Sequence, residues 1–577
     1  MEQTKMINLT IDGVPVSVPE GTSILEAARQ ANINIPVLCD YPDLSRRAVC
    51  RLCVVECNGA KKLKAACANE VWEGVSVVTD NPRIRQIRRT ILEMILADHP
   101  KDCLSCIRNG SCELQALAER FGIRENAFQA EISTESALVH SGALVRDMSK
   151  CVKCGRCVTA CREIQSVWAI TSAERSVKYT ISTPYNQMLG DGPCVYCGRC
   201  ASVCPVGAIY ENDQTDAIFD VMADPERHVI VQTAPAVRVA LGDDFGLPAG
   251  AISTGKMVSA LKRLGFARVF DTNFAADLTI MEEGHEFLDR LKNNGKLPMI
   301  TSCCPGWINF AETFFPDLLD NLSSCKSPQQ MFGAVAKTYY SEKTGIPKDK
   351  ITVVSIMPCT AKKFECNRAE MNDSGEKDVD FVLTTRELAR MIRMAGIVFD
   401  ELPEDNFDSI MGDSTGAAVI FGASGGVMEA ALRTVYEVVV GSEPPSLDFE
   451  VTRGYHGVKE ATVELPGQAV KVAIVNSLSN AHKLMQAVQR GETDVHFIEV
   501  MACPGGCAGG GGQPYGDSAR TKERIKGLYV ADKNLPIRKS HENPEIKILY
   551  KDFLGEPLGE RSHHLLHTHY TGRKKGV

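Results

Sequence analysis

Three short runs carry the residues best suited to redox chemistry. Thr301 to Trp307 reads T-S-C-C-P-G-W, Met357 to Lys363 reads M-P-C-T-A-K-K, and Glu499 to Pro514 reads E-V-M-A-C-P-G-G-C-A-G-G-G-G-Q-P. Successive side chains on extended backbone point opposite ways, so the adjacent Cys303 and Cys304 cannot easily grip one iron together. Cys304, Cys359, Cys503 and Cys507 make four thiolates drawn from three distant runs, a soft donor set suited to an iron–sulfur cubane. Cys303 is left over. Pro305 and Gly306 are expected to turn the chain sharply and hold the thiols at a fixed bend over Trp307.

The remaining cysteines, of 23 in all, lie mostly toward the N-terminus. Many stand two residues apart, a pattern better explained by metal ligation than by disulfides, which a reducing compartment would break. Cys39, Cys50, Cys53 and Cys67 follow a stretch resembling the beta-grasp fold of plant-type ferredoxins, although their x10, x2, x13 spacing departs from the plant pattern; zinc is the competing reading. His99, Cys103, Cys106 and Cys112 supply an imidazole and three thiols, a set that on ligand type alone could equally be structural zinc. Cys151 to Cys161 and Cys194 to Cys204 each read C-x2-C-x2-C-x3-C. In bacterial ferredoxins the fourth cysteine of each run serves the other cluster. Cys151, Cys154, Cys157 and Cys204 are therefore expected to hold one cubane, and Cys194, Cys197, Cys200 and Cys161 the second. The 32 residues between the runs point to an insertion. Cys57 reads as a buried free thiol, and Cys325 and Cys366 as incidental ones, with Cys325 notable for lying two residues past Ser323.

Elements must position these groups. Ile7 to Val18 alternates in polarity around Asp12-Gly13, a two-residue hairpin signal. Ser23-Ile-Leu-Glu26 reads as a capping box opening a helix through about Ala31. Pro82 to Asp98 repeats Ile84, Ile87, Ile91, Met94 and Ile95 at helical spacing, with Arg83, Arg85, Arg88 and Arg89 between them. From about Asp220 the texture changes to alternating strand and helix, for example His228 to Thr233, Ala267 to Phe270 and Ile351 to Ile356, enough for two α/β lobes with the motifs in loops after strands. The expected class is thus α+β and multidomain, divided as 1–80, 81–140, 141–219 and 220–577. Glu283, Glu286 and Arg290, three and four apart, share one helical face; without further context that is a solvated ion-pair stripe. Gly505 to Gly512 lacks the lysine and hydroxyl of a phosphate loop, and its glycines are expected to let backbone approach a cluster closely.

Composition narrows the function. A chain of 577 residues carries about four domains, and 44% apolar with 24% charged residues is ordinary for a soluble protein. A net charge of -8 argues against bulk nucleic-acid binding. No apolar run approaches the roughly 18 residues of a membrane span, and Met1 to Thr10 has no signal-peptide pattern, so a cytoplasmic protein is expected.

Taken together, the three motifs resemble the signatures of the [FeFe]-hydrogenases. The resemblance implies an H-cluster: a [4Fe-4S] cubane joined through Cys507 to a diiron unit carrying CO, cyanide and an azadithiolate, inserted by maturation proteins. It also implies that H2 and protons are the reactants, with Cys303 as first proton carrier and Glu283, Ser323, Glu286 and Arg290 continuing the relay. Lys362 becomes a donor to a cyanide ligand, and Met357, Met501, Pro235, Ala236 and Gln329 surround the diiron unit, Ala236 standing where some relatives have serine. The His99 to Cys112 run is similar to the His-ligated [4Fe-4S] site of the family and of a complex I subunit, giving three accessory [4Fe-4S] clusters and one [2Fe-2S]. Ser540 to Tyr570 resembles a separate small subunit of periplasmic relatives. Ferredoxin or an NAD(P)-binding flavoprotein subunit is the implied electron partner, and Arg46, Arg47, Arg51, Lys61, Lys62 and Lys64 form a basic cluster that could dock it. A complex I-type electron conduit, an iron–sulfur assembly protein and a hydrogen sensor are the competing readings.

Overall fold

The computed structural model describes residues 5–129, 138–454, 457–465 and 468–573. The first four residues of the Met1 to Thr10 stretch and residues 130–137 of the expected second segment lie outside these. At the N-terminus, strands Met6–Ile11 and Val14–Pro19 pair antiparallel with Ile11 opposite Val14, and the turn between them places Asp12 and Gly13 at φ of 50° and 82°. Strand Met6–Ile11 runs parallel to Ser76–Val78, which pairs antiparallel with Val54–Cys57. The result is a mixed five-stranded sheet. Helix Ile24–Gln30 packs on it, Ser23 Oγ accepting from the Glu26 amide at 3.1 Å.

Helix Pro82–Ala97 forms where its apolar spacing predicts, but its inner face differs from the expected one. Ile84, Arg88 and Leu92 are buried, whereas Met94 is 58% exposed. The Arg88 guanidinium donates to the Val54 carbonyl at 2.7 Å, which offsets part of the cost of its burial, while its Nε is left without a partner.

The cysteine runs of the next segment sit around a three-stranded sheet of Leu138–Ser141, Leu144–Asp147 and Ile209–Glu211. Part of the spacer between them folds into the hairpin Thr171–Ala173 and Thr180–Ser182.

Two four-stranded sheets follow. The first is fully parallel, ordered Arg268–Asp271, His228–Thr233, Ile351–Met357 and Phe381–Thr384. Ile351–Met357 is buried along its whole length, as expected of a strand covered on both faces. The second is ordered Met299–Ile300, Phe497–Met501, Gln468–Asn476 and Val458–Leu465, parallel except for its last pair. The cysteines of each motif follow the end of a strand, in loops that open at Thr301 after Ile300, at Pro358 after Met357 and at Ala502 after Met501. The sheets thus direct their carboxyl ends at one region, which is where ligands bind in open α/β folds.

Candidate active site

Cys303, Cys304, Cys359, Cys503 and Cys507 line a single cavity between the two lobes. Pro305 does not bend the chain away; it is the first residue of helix Pro305–Phe314, with Cys304 in extended conformation at the cap. Proline suits that position because its fixed φ is helical and its missing N–H would be unpaired there anyway. Trp307 is fully buried. Burial pushes the Cys304 thiol up, and burial with the nearby Cys304 and Cys507 pushes Cys503 up to about 12. Thiols crowded in this way resist ionisation unless a cation joins them, so the donor set fits an iron–sulfur cubane.

Gly506 and Gly510 line the cavity, and the glycines of this loop also face neighbouring protein backbone. A Cβ on Gly510 would stand 2.2 Å from the Pro358 carbonyl oxygen, and one on Gly511 would stand 2.2 Å from that of Cys197. The loop is glycine-rich because protein backbone crowds it, which lets three loops close around one space.

Met357, Met501, Pro235 and Gln329 line the cavity with Ala234, Pro328, Thr272 and Phe421. Ala236 is not among the lining residues: it is fully buried, and its carbonyl accepts from Gln513 Nε2 at 3.0 Å. Lys362 Nζ reaches the cavity wall, donating to the Cys303 carbonyl at 3.1 Å and pairing with Glu365 at 2.9 Å. Glu365 is held in turn by Ser327 Oγ at 2.8 Å and Gln329 Nε2 at 3.1 Å. Glu365 and Ser327 escape the sequence reading, although the i,i+3 spacing of Lys362 and Glu365 was a usable signal.

Glu283, Glu286 and Arg290 lie on helix Thr272–Lys292. Both carboxyl oxygens of Glu283 are buried without a hydrogen-bond partner of normal geometry. Its burial, followed by the charge of Glu286, pushes this carboxyl up to about 8, while the nearby Ser323 hydroxyl and Ser302 amide oppose the shift. Ser323 Oγ donates to Glu286 Oε2 at 2.8 Å, and Arg290 donates to Glu286 Oε1 at 2.6 Å. The Glu286 and Arg290 side chains are only 11% and 15% exposed. Arg290 also donates to the Leu322 carbonyl at 2.7 Å. This is a packed polar file rather than a solvated stripe.

Two further cavities match the ferredoxin-like runs. Cys151, Cys154, Cys157 and Cys204 line one, and Cys161, Cys194, Cys197 and Cys200 the other. Cys197 also lines the catalytic cavity, so the two spaces share a wall. Cys53 and Cys67 sulfurs lie 3.4 Å apart, and Cys39 Sγ accepts from the Cys50 amide at 3.5 Å. His99 Nδ1 is buried without a partner, and burial lowers the imidazole's proton affinity, which keeps it available as a neutral ligand. Cys103 is exposed, and a Cβ on Gly207 would stand 2.7 Å from Cys106 Sγ. One apolar cluster packs Cys50, Cys112, Cys151 and Cys204 against Leu38, Leu52 and Leu92, so both N-terminal sites abut the Cys204 site. Cys57 and Cys366 are buried thiols. Arg47 is partly consumed by packing, its guanidinium donating to Thr159 Oγ1 at 3.2 Å, while Arg46, Arg51, Lys61, Lys62 and Lys64 remain exposed.

Such a fold, with cysteine-lined cavities leading to a deep thiol cage, defines an iron–sulfur oxidoreductase. Residues 227–511 match the iron only hydrogenase large subunit, C-terminal domain, and residues 518–573 the iron hydrogenase small subunit, which starts earlier than the expected Ser540. Residues 4–82 match a 2Fe-2S iron-sulfur cluster binding domain, 88–127 the NADH-ubiquinone oxidoreductase-G iron-sulfur binding region, and 147–208 a 4Fe-4S dicluster domain. The chain is 50% identical to the NADP-reducing hydrogenase subunit HndD of Solidesulfovibrio fructosivorans, covering 99% of this chain and all of that one. It is 40% identical to iron hydrogenase 1 of Clostridium pasteurianum over 98% and 100%. A solved structure of apo [FeFe]-hydrogenase HydA1 from Chlamydomonas reinhardtii, a variant, aligns with 63% of this chain and all of that one at a TM-score of 0.57 and 44% identity. The chain belongs to the iron-only, or [FeFe], hydrogenase family. It is a hydrogenase that interconverts H2 with protons and electrons, built from an H-cluster domain and [2Fe-2S]- and [4Fe-4S]-binding domains.

Proposed function

We propose that Cys304, Cys359, Cys503 and Cys507 hold the cubane of the H-cluster and that Cys507 bridges it to the diiron unit with its CO, cyanide and azadithiolate. The observation that carries this is the convergence of four thiols from three loops on one cavity that also exposes Cys303. When bound, the cluster supplies a Lewis-acidic iron with an open position and a reservoir of electrons for heterolytic H2 cleavage.

The chain's own residues move the protons. Cys303 passes a proton to Glu283, whose carboxyl is pushed up to about 8 by burial and so exchanges protons near neutral pH. Ser323 and Glu286 continue the file, and Arg290 holds the Glu286 carboxylate at the outer end. Lys362, fixed by Glu365, directs a cationic donor toward the anionic ligands of the diiron unit. Met357, Met501, Pro235 and Gln329 exclude water from it.

Cys161, Cys194, Cys197 and Cys200 would hold the [4Fe-4S] cluster beside the catalytic cavity, with which their site shares Cys197, and Cys151, Cys154, Cys157 and Cys204 would hold the next; both would carry electrons away from the catalytic cavity. His99, Cys103, Cys106 and Cys112 would hold a third [4Fe-4S] cluster and Cys39, Cys50, Cys53 and Cys67 a [2Fe-2S], and since both sites abut that of Cys204 the route would fork there, with three accessory [4Fe-4S] clusters and one [2Fe-2S] in all. The corresponding domains are 1–80, 81–140, 141–219 and 220–577. The full-length relative named as a subunit of an NADP-reducing hydrogenase favours an NAD(P)-binding flavoprotein partner, with ferredoxin as the second candidate. Maturation proteins supply the diiron unit. No helix of the described residues is long and apolar enough to cross a membrane, in keeping with a cytoplasmic enzyme.

The test is Cys303→Ala matured with its assembly factors. The infrared bands of CO and cyanide should be retained while hydrogen evolution drops by roughly 10²-fold or more. Wild-type turnover with intact bands would remove Cys303 from the relay.

A further inference from the structure

Glu286 faces a second set of groups besides Arg290. Its Oε2 lies 3.8 Å from Cys325 Sγ, and that sulfur lies 4.0 Å from His567 Nδ1. Ser324 Oγ is 2.8 Å from the same Nδ1, and the Ser324 amide donates to Glu286 Oε2 at 3.1 Å. Cys325 is completely buried at the edge of the apolar core, and its thiol there faces both a carboxylate and an imidazole. Ligating atoms of Glu286, Cys325 and His567 all fall within 4.8 Å of one another.

The far side of His567 is also fixed. Its Nε2 lies 3.1 Å from Glu282 Oε2, and Glu282 accepts further from Tyr550, Ser562 and the Leu558 amide. Burial opposes ionisation of Glu282, but these hydrogen bonds win and hold its carboxyl below the ordinary value. A carboxylate at Nε2 places the imidazole proton there and leaves Nδ1 as the acceptor facing Cys325 and Ser324. The backbone holds the pair in register. Cys325 and His567 form an antiparallel bridge, flanked by Lys326 N to Leu566 O at 2.8 Å and Thr568 N to Ser324 O at 2.7 Å. Ser324 is partly exposed, and the exposed His563 stacks on His567 at 4.8 Å.

We propose that Cys325 and His567 form a second arm of the proton relay, joining Glu286 to solvent at Ser324 in parallel with the mouth at Arg290. This rests on the reading of Glu286 as a relay residue. In the outward direction the Glu286 O–H breaks as a new S–H forms on Cys325, whose own proton moves to His567 Nδ1. The imidazolium so formed faces the Glu282 carboxylate and returns its Nδ1 proton through Ser324 Oγ to water. No electrons move, and each carrier ends as it began after one reorientation. The C-terminal segment thereby contributes a proton carrier to a helix nearly three hundred residues upstream, as well as packing against it.

Parallel arms make a specific demand on mutants, because each can carry the flux when the other is closed. Cys325→Ala and Arg290→Leu should each lower hydrogen evolution by only about 2- to 5-fold, whereas the double variant should lose about 50-fold or more with a raised solvent isotope effect. CO and cyanide bands should be unchanged in all three. A second readout needs no turnover. With the proposed ligands bound to iron, only Cys57, Cys303, Cys325 and Cys366 keep an S–H bond, so the Cys325 stretch can be assigned by its loss in Cys325→Ala. That band should be shifted by hydrogen bonding and should move again in His567→Gln. A double variant no worse than Arg290→Leu, or a Cys325 band insensitive to His567→Gln, overturns the second arm. Full turnover in Glu286→Gln would instead remove the relay reading itself.

Discussion

The accessory sites and the catalytic cage use the same thiol chemistry but are assembled in opposite ways. Cys194, Cys197 and Cys200 come from one short run and need a single distant partner, Cys161. Cys304, Cys359, Cys503 and Cys507 come from three loops at the ends of strands in two sheets, so their cavity exists only when both lobes are folded and docked. A local site loses little chain entropy on forming, whereas a cage built from distant loops draws on the stability of the whole domain. The two kinds of site should therefore fail differently.

The largest difference is expected on removing one ligand from each. Cys359→Ala should abolish hydrogen evolution, as the cubane loses a wall and the diiron unit its anchor, while the accessory clusters keep their iron and electron paramagnetic resonance signals. Cys53→Ala should do the reverse: the [2Fe-2S] signal disappears and evolution driven by a small reduced dye persists. Loss of catalytic infrared bands in Cys53→Ala would show that the sites are not independent.

Next in size is Glu283→Gln, expected to cost roughly 10²-fold in turnover with the cluster bands intact. The same variant has a stability signature. A carboxyl at about 8 in the folded chain against an ordinary 4.5 binds its proton more tightly when folded. Native stability therefore falls as pH rises from 4.5 to 8, by at most about 5 kcal/mol, and levels off above that. The glutamine variant lacks this slope, so its melting temperature should overtake wild type progressively across that window. Parallel pH dependence of the two proteins would mean that Glu283 ionises freely.

These assemblies also explain what could be read from the chain. The Asp12-Gly13 turn, the two ferredoxin-like runs and the buried strand Ile351–Met357 are legible because their determinants are contiguous. The inner face of helix Pro82–Ala97 was not, since the buried Arg88 is anchored by the carbonyl of Val54, a partner that no periodicity reveals. Ala236 falls outside the cavity for a similar reason: one residue decides which side of a loop faces in. Cys325 reads as incidental until the His567 backbone pairs with it. Local rules locate elements and ligand runs, whereas second partners of buried polar groups come from tertiary packing.

A smaller effect tests the seam between the two kinds of site. Gly511 belongs to the catalytic glycine loop yet packs on Cys197 of a local site, with no room for a methyl group against that carbonyl. Gly511→Ala should destabilise by about 1–3 kcal/mol. It should also slow dye-to-hydrogen electron flow while sparing both clusters. Unchanged melting and rate would mean that the shared wall is more compliant than its contacts suggest.

The smallest effect concerns how a partner reaches the accessory sites. The basic cluster near Cys50 is reduced to Arg46, Arg51, Lys61, Lys62 and Lys64, because Arg47 is bound to Thr159 and fills the space above Gly155. Reversing Arg46, Lys61 and Lys62 to glutamate should lower the rate with an acidic ferredoxin by about 2- to 10-fold at low salt and flatten its salt dependence. The dye-driven rate should stay constant. Reversing Arg47 should instead lower stability, by opening the contact with the dicluster segment. If the triple reversal left the ferredoxin rate and its salt dependence unchanged, the docking face would lie elsewhere, and the exposed Cys103 and Leu104 of the His99 site would become the better place to look. The forked arrangement permits either entry, since both N-terminal sites pack against the same cluster of Cys151 and Cys204.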